Sequence, residues 1–122
     1  MRHKYNVSEA EYEVLDMLWK CGGEIKQTEL LKEFELAGKG WKRQTLNTLI
    51  SRLEEKEVVE RENRIVKSLL TREKFYNLQM QENIDLMYGG KLSSFFAAFT
   101  AQEGISREEA EEILRILEQS RK

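Results

Sequence analysis

Between Leu36 and Leu53 the sequence holds no Asp or Glu, while Lys39, Lys42, Arg43 and Arg52 are all basic. The same stretch carries Gln44, Thr45, Asn47, Thr48 and Ser51, amides and hydroxyls where the rest of the chain uses Glu and Lys freely. Leu46, Leu49, Ile50 and Leu53 recur at helical spacing, so a helix is expected from Lys42 to about Lys56 with one apolar face. On that wheel Gln44, Asn47, Thr48 and Ser51 point away from the apolar face, with Lys42, Arg43, Thr45 and Arg52 at its start and flanks. Such a face suits reading a DNA major groove. Gln and Asn pair bidentately with adenine, Thr bonds a base edge or touches a thymine methyl, and the cations hold phosphates. The helix N-terminus adds its positive dipole and free N–H groups. The competing reading is an ordinary solvated helix face; neutral amides without acids favour the groove reader.

The other chemically capable residues are scattered. Arg61, Arg64 and Lys67 can grip phosphates or enter a minor groove, although charges on an exposed hairpin also block edge pairing. Trp41 is expected in the core or as a staple rather than stacked on a base. The single cysteine, Cys21, can form neither an internal disulfide nor a metal cage, which fits a reducing cytoplasm. The single histidine, His3, lies at the N-terminal end. There is no Ser/His/Asp set, metal-ligand spacing, phosphate loop or apolar carboxylate pair. No enzyme, cofactor or metal is therefore expected. No apolar run is long enough to span a membrane, and the charged N-terminus has no signal-peptide core, so membrane insertion is not expected either.

The elements that must position these residues follow from periodicity. The 122 residues are 40% hydrophobic and 34% charged, enough for one domain's core, with or without an appended arm. The net charge of −2 is unevenly spread: residues 1–75 carry 15 basic and 14 acidic residues, and residues 76–122 carry 5 and 8. A first helix is expected from Glu9 to Lys20, with a Ser8/Glu11 capping box, Val7 stapled on Tyr12, and an apolar face of Tyr12, Leu15, Leu18 and Trp19. A second runs from Gln27 to Leu36, with Leu30, Leu31 and Phe34 inward and Ile25 as its staple. After the third helix the period changes to two. Residues 58–61 and 64–67 read as a β-hairpin turning at Glu62-Asn63. Three helices and a hairpin suggest a winged helix-turn-helix.

Beyond Thr71, an N-cap, a long helix to Tyr88 is apolar on two sides: Phe75, Leu78 and Leu86 on one, Tyr76, Met80, Ile84 and Met87 on the other. A helix of that kind packs between two bodies. A fifth helix from Lys91 to Glu103 carries Leu92, Phe95, Phe96 and Phe99 on one stripe, better suited to a core or interface than to a small-molecule pocket. A sixth, opened by a Ser106/Glu109 capping box, has Ile113, Leu114 and Leu117 inward, and Glu108, Glu109, Glu111 and Glu112 on its start and solvated face. The division expected is a winged helix DNA-binding domain at 1–72 and a helical dimerisation region at 73–122. The dimer would bury Met80, Ile84, Met87, Tyr88, Leu92, Phe95, Phe96, Phe99, Ile113, Leu114 and Leu117.

Three stretches also carry a resemblance. They are Ser8 to Leu15 with Leu18-Trp19; Trp41 followed by Thr45-Leu46-x-Thr48-Leu49-Ile50-x-Arg52-Leu53; and Tyr88 to Phe95 running into Ile105-Ser106 and Ile113. In order and spacing the chain resembles the penicillinase-repressor (BlaI/MecI/CopY) family of bacterial transcription regulators. The resemblance implies a homodimer that represses by binding a promoter palindrome, commonly with TACA/TGTA, and it places Gln44, Asn47 and Thr48 at the base-reading sites. Members often carry Lys or Arg at the first two, a departure that bears on the operator. The wing departs too, with Glu57-Val58 and Ile65-Val66-Lys67 where many members have a Gly and an aromatic-rich strand. In the β-lactam-responsive members a membrane sensor-protease pathway ends in cleavage of an Asn-Phe bond; the matching bond is Ala98–Phe99, which keeps only the Phe. The Cys-rich metal motif of copper-responsive members is absent from this sequence.

The expectation is thus a repressor acting on double-stranded operator DNA, with β-lactam-resistance genes among its candidate targets. The rivals are a winged helix protein-interaction adaptor and a small-molecule-sensing repressor with a pocket in the helical arm.

Overall fold

The computed structural model describes residues 4–122; His3 lies outside them. Along the chain come α1 (Glu9–Lys20), β1 (Glu24–Lys26), α2 (Gln27–Leu36), α3 (Arg43–Glu55), β2 (Val59–Glu62), β3 (Ile65–Ser68), α4 (Arg72–Tyr88), α5 (Leu92–Glu103) and α6 (Arg107–Gln119). Three helices, a β-hairpin wing and a helical continuation make a winged helix fold.

Local chemistry explains the boundaries. At α1 the Ser8 hydroxyl accepts from the Glu11 N–H at 3.1 Å, and the Glu11 carboxylate accepts from the Ser8 N–H at 2.9 Å, a reciprocal capping box. The first three helices end alike. Each closes with one N–H bonding back to a carbonyl five residues earlier: Gly23 to Leu18, Lys39 to Phe34, and Val58 to Leu53. This closure needs a left-handed residue just before the donor. Gly22 and Gly38 supply it, but at the end of α3 the position is Glu57, at φ 60.

The β structure corrects two expectations. Ile25 is not merely a staple: β1 pairs antiparallel with β3, Ile25 opposite Val66, giving a three-stranded sheet of order β1-β3-β2. A three-residue strand is too short to show alternation. The hairpin turn also sits one residue later than expected. Glu62 pairs with Ile65, and the turn residues are Asn63 and Arg64, at φ 53 and φ 65. Two positive φ values are what a two-residue hairpin loop requires to match the twist of its strands. Val58 accordingly belongs to the closure of α3, and β2 begins at Val59.

The core of this part joins α1, α2, α3, the sheet and the start of α4. Val14, Leu15, Leu18, Leu30, Leu46, Ile50, Leu53, Val58, Val66 and Phe75 are essentially inaccessible. Of the expected α1 face, Leu15 and Leu18 are buried while Tyr12 and Trp19 are only partly buried against the core, and Val14 joins the buried set. Glu11 is buried as well, and its carboxylate meets Lys56 Nζ at 2.7 Å, tying the start of α1 to the end of α3. Burial opposes its ionisation, yet hydrogen bonds from Lys56 and the Ser8 N–H, helped by the charges of Lys56 and Arg52, outweigh that and lower its pKa.

Thr71 caps α4, accepting from the Lys74 N–H at 3.1 Å. Arg72 pairs with Asp16 at 2.8 Å and lies over the Trp19 ring, while the Tyr76 and Tyr12 hydroxyls are hydrogen-bonded. The first turns of α4 are thereby fastened to α1.

By its contacts the chain forms two compact units that divide between Glu82 and Asn83, within α4. In the second unit the Tyr88 and Phe95 rings meet edge to face at 5.8 Å, and Phe95 also touches Phe96 and Phe99. Ile84 is buried, but neither α5 nor α6 buries a residue fully. The inward face expected for α6 is only partly inward. Ile113 is half-buried, whereas Leu114 and Leu117 are exposed, because two short helices lack a further layer to cover them. The capping box expected at α6 is half formed: Ser106 accepts from the Glu109 N–H, with no return bond among the described residues.

Candidate nucleic-acid interface

The face of α3 is built as its spacing implies. Leu46, Leu49, Ile50 and Leu53 are buried, and Arg43, Gln44, Thr45, Asn47, Thr48 and Arg52 are exposed. Lys42 is the N-cap residue and makes no side-chain cap bond, so the first N–H groups of α3 are left without a side-chain acceptor. Trp41 packs against Phe34, ring centroids 4.6 Å apart, with Lys39 over the indole; it is a core edge, not an exposed platform.

The polar residues of the face are not equivalent. Gln44 has no side-chain partner among the described residues. The Thr48 hydroxyl donates back to the Gln44 carbonyl at 3.0 Å, so its proton is spent within the helix and its lone pairs remain to accept. Ser51 is half-buried and accepts from Arg61 at 2.8 Å. Arg61, from β2, also bonds Glu54 at 2.7 Å, Gln27 at 3.3 Å and the side-chain oxygen of Asn47. It is thus committed within the protein, not extended from the wing. The sheet register explains this. Arg61 lies two residues after buried Val59 and directly opposite buried Val66, which puts it on the inner side of the sheet.

Arg64 and Lys67 differ in turn. Arg64 stands exposed at the hairpin turn, where its carbonyl accepts from the Gln27 N–H at 2.9 Å and pins the wing to the start of α2. Lys67 is exposed too, but across the sheet it lies between Glu24 and Glu60. An open cleft of about 1000 Å³ runs between α2, the start of α3 and the wing turn, lined by Gln27, Thr28, Lys32, Arg43, Gln44, Asn47 and Arg64 among others. Its charged residues are Lys32, Arg43 and Arg64 against Glu35. The α2 contribution was invisible in the sequence, where Thr28 and Lys32 look like any solvated helix residues. A cleft with three cations, beside a face of amides, can hold a polyanion and bond base edges.

The residues expected to form a dimer are also placed. Met80, Met87, Leu92 and Phe99 are exposed along with Leu114 and Leu117, Phe95, Phe96, Tyr88 and Ile113 are half-buried, and Ile84 is buried. Ala98 and Phe99 lie in mid-α5, both exposed. No group of residues suited to a metal ion occurs among the described residues, and none of their helices is long and apolar enough to cross a membrane.

Comparison with known proteins agrees with this geometry. The family model described as Penicillinase repressor matches residues 7–119. Methicillin resistance regulatory proteins MecI of Staphylococcus aureus (strain N315) and Staphylococcus epidermidis are each 30% identical over 117 residues, covering 93% of this chain and 94% of theirs. The MecI protein of Mammaliicoccus sciuri is 29% identical over the same span.

Proposed function

The chain belongs to the penicillinase repressor family, whose members are transcriptional repressors and not enzymes, and from that premise we propose that it acts as a homodimer on a promoter palindrome. The observation that carries this reading is the acid-free exposed face of α3, where Gln44, Asn47 and Thr48 stand between Arg43 and Arg52. Gln44 and Asn47 read base edges. Lys42, Arg43 and Arg52, with the free N–H groups at the start of α3, hold phosphates. Arg64 adds a phosphate contact from the wing, and Lys67, flanked by acids, adds least.

The N-terminal residues 1–72 bind DNA and residues 73–122 dimerise, with α4 shared between the two tasks. Two copies double the positive clefts, which answers the net charge of −2. The exposed Leu92, Phe99, Leu114 and Leu117 supply the apolar surface that a second chain covers. The likeness to MecI proteins supports resistance genes as the targets and the cytoplasm as the place of action.

Selection from random duplex DNA with sequencing of the enriched pool tests the reading. A recurring palindrome, with half-sites about one helical turn or a multiple apart, is expected. With roughly four to eight phosphate contacts per dimer, affinity should fall with salt at a log–log slope of about −4 to −7. No enrichment at low salt would move the weight to a protein-docking role.

A further inference from the structure

Asn47 holds a place on the exposed face of α3 that its neighbours do not. Its side-chain oxygen is taken by Arg61, whose guanidinium is itself fixed by Glu54, Ser51 and Gln27. The orientation is dictated by chemistry, since a guanidinium has five N–H donors and no acceptor and only Oδ1 can face it. The Asn47 Nδ2 then points away from Arg61, and no acceptor for it occurs among the described residues. Adenine recognition by Asn needs both atoms, Oδ1 accepting from N6 and Nδ2 donating to N7. Oδ1 keeps a second lone pair, but a donor approaching it must crowd the Arg61 guanidinium already bonded there.

We propose that Arg61 is a positioning residue that converts Asn47 into a hydrogen-bond donor only, so that the base pair it reads is preferred as guanine, whose O6 and N7 both accept, over adenine. Gln44, with both amide atoms unpaired, keeps the bidentate adenine mode. This rests on the DNA-binding reading above. It assigns Arg61, which reaches no further than its own protein, a share in sequence choice.

The test is a set of parallel selections from random duplex DNA with the full chain, its Asn47→Ala variant and its Arg61→Met variant, each checked for folding by thermal melting. Asn47→Ala should erase a guanine preference at one position per half-site and so identify that position. Arg61→Met keeps an apolar stem and removes all five donors; it should turn that position toward adenine, the guanine-to-adenine ratio falling about tenfold. The position read by Gln44 should not move, which a general structural defect could not spare. An unchanged base at the Asn47 position in Arg61→Met, or an equal loss at every position, would overturn the assignment. If Arg61→Met does not fold, the unaltered chain decides against Asn47→Ala: guanine supports the proposal and adenine ends it. A parent chain that enriches nothing removes the DNA-binding reading and this inference together, whereas a failure confined to Arg61→Met leaves that reading standing.

Discussion

The two units of the chain solve the same problem with different completeness. From Glu9 to Phe75, helices, sheet and wing enclose a core in which Val14, Leu18, Ile50, Val66 and Phe75 lose all contact with solvent. From Asn83 onward the helices are as regular, and α6 is as amphipathic as any, yet Leu114 and Phe99 each remain 64% exposed. Helix formation and core formation are therefore separate achievements. A capped, periodic sequence secures the first; the second needs a further layer to close on, and α5 and α6 do not contain one.

The sharpest way to break that contrast is to open the closed core. Phe75→Ala removes a fully buried ring and should cost about 3–5 kcal/mol, measured by urea unfolding at one fixed protein concentration. The opposite change tests the open surface. Replacing both Leu114 and Leu117 with Asp should leave the helical signal intact while weakening self-association about a hundredfold, or about 2.7 kcal/mol, read by sedimentation equilibrium. An unaltered association constant would show that this face covers nothing.

A smaller effect separates the units by pH. The Glu11 pKa is lowered from its ordinary 4.5 in the folded chain, so its contribution to stability is complete above that value and disappears as pH falls through the folded one. Asp16, held by Lys20 and Arg72 against the effect of burial, moves in the same direction. Acid unfolding followed at Trp19 should therefore steepen below about pH 4.5, and Glu11→Gln should flatten it at a cost of about 1–2 kcal/mol. The smallest expected change is a gain. Glu57→Gly relieves a left-handed backbone at the end of α3, partly offset by greater freedom in the unfolded chain. The net is about 0.5 kcal/mol, or roughly 2–4 °C in the melting temperature.

How far the sequence reveals this molecule depends on the range of the forces involved. Capping at Ser8, the inward face of α3 and the Gly22 and Gly38 helix ends are decided within a few residues and are legible. So is the polar face of α3, because it is the complement of its apolar one. The strand around Ile25 is not legible, since it exists only through pairing with Val66, 41 residues away in the chain. The hairpin turn falls one position later than the sequence suggests because Arg64 occupies a left-handed site where Gly or Asn would have announced it. Arg61 shows the same limit at the candidate site: its charge reads as a surface residue, and only the fold brings Gln27, Asn47, Ser51 and Glu54 around it.

The exposed state of α5 bears on how long the protein survives. The bond between Ala98 and Phe99 lies inside a formed helix, and a protease must have several residues on either side of its target drawn out straight. A helix that buries no residue fully opens locally at little cost, so in a lone chain cleavage would follow the frequency of that opening. A second chain laid over Leu92 and Phe99 would make the opening rarer. Were a protease to act at this bond and the chain to pair through α5, lifetime would depend on abundance, dilute molecules being cut first.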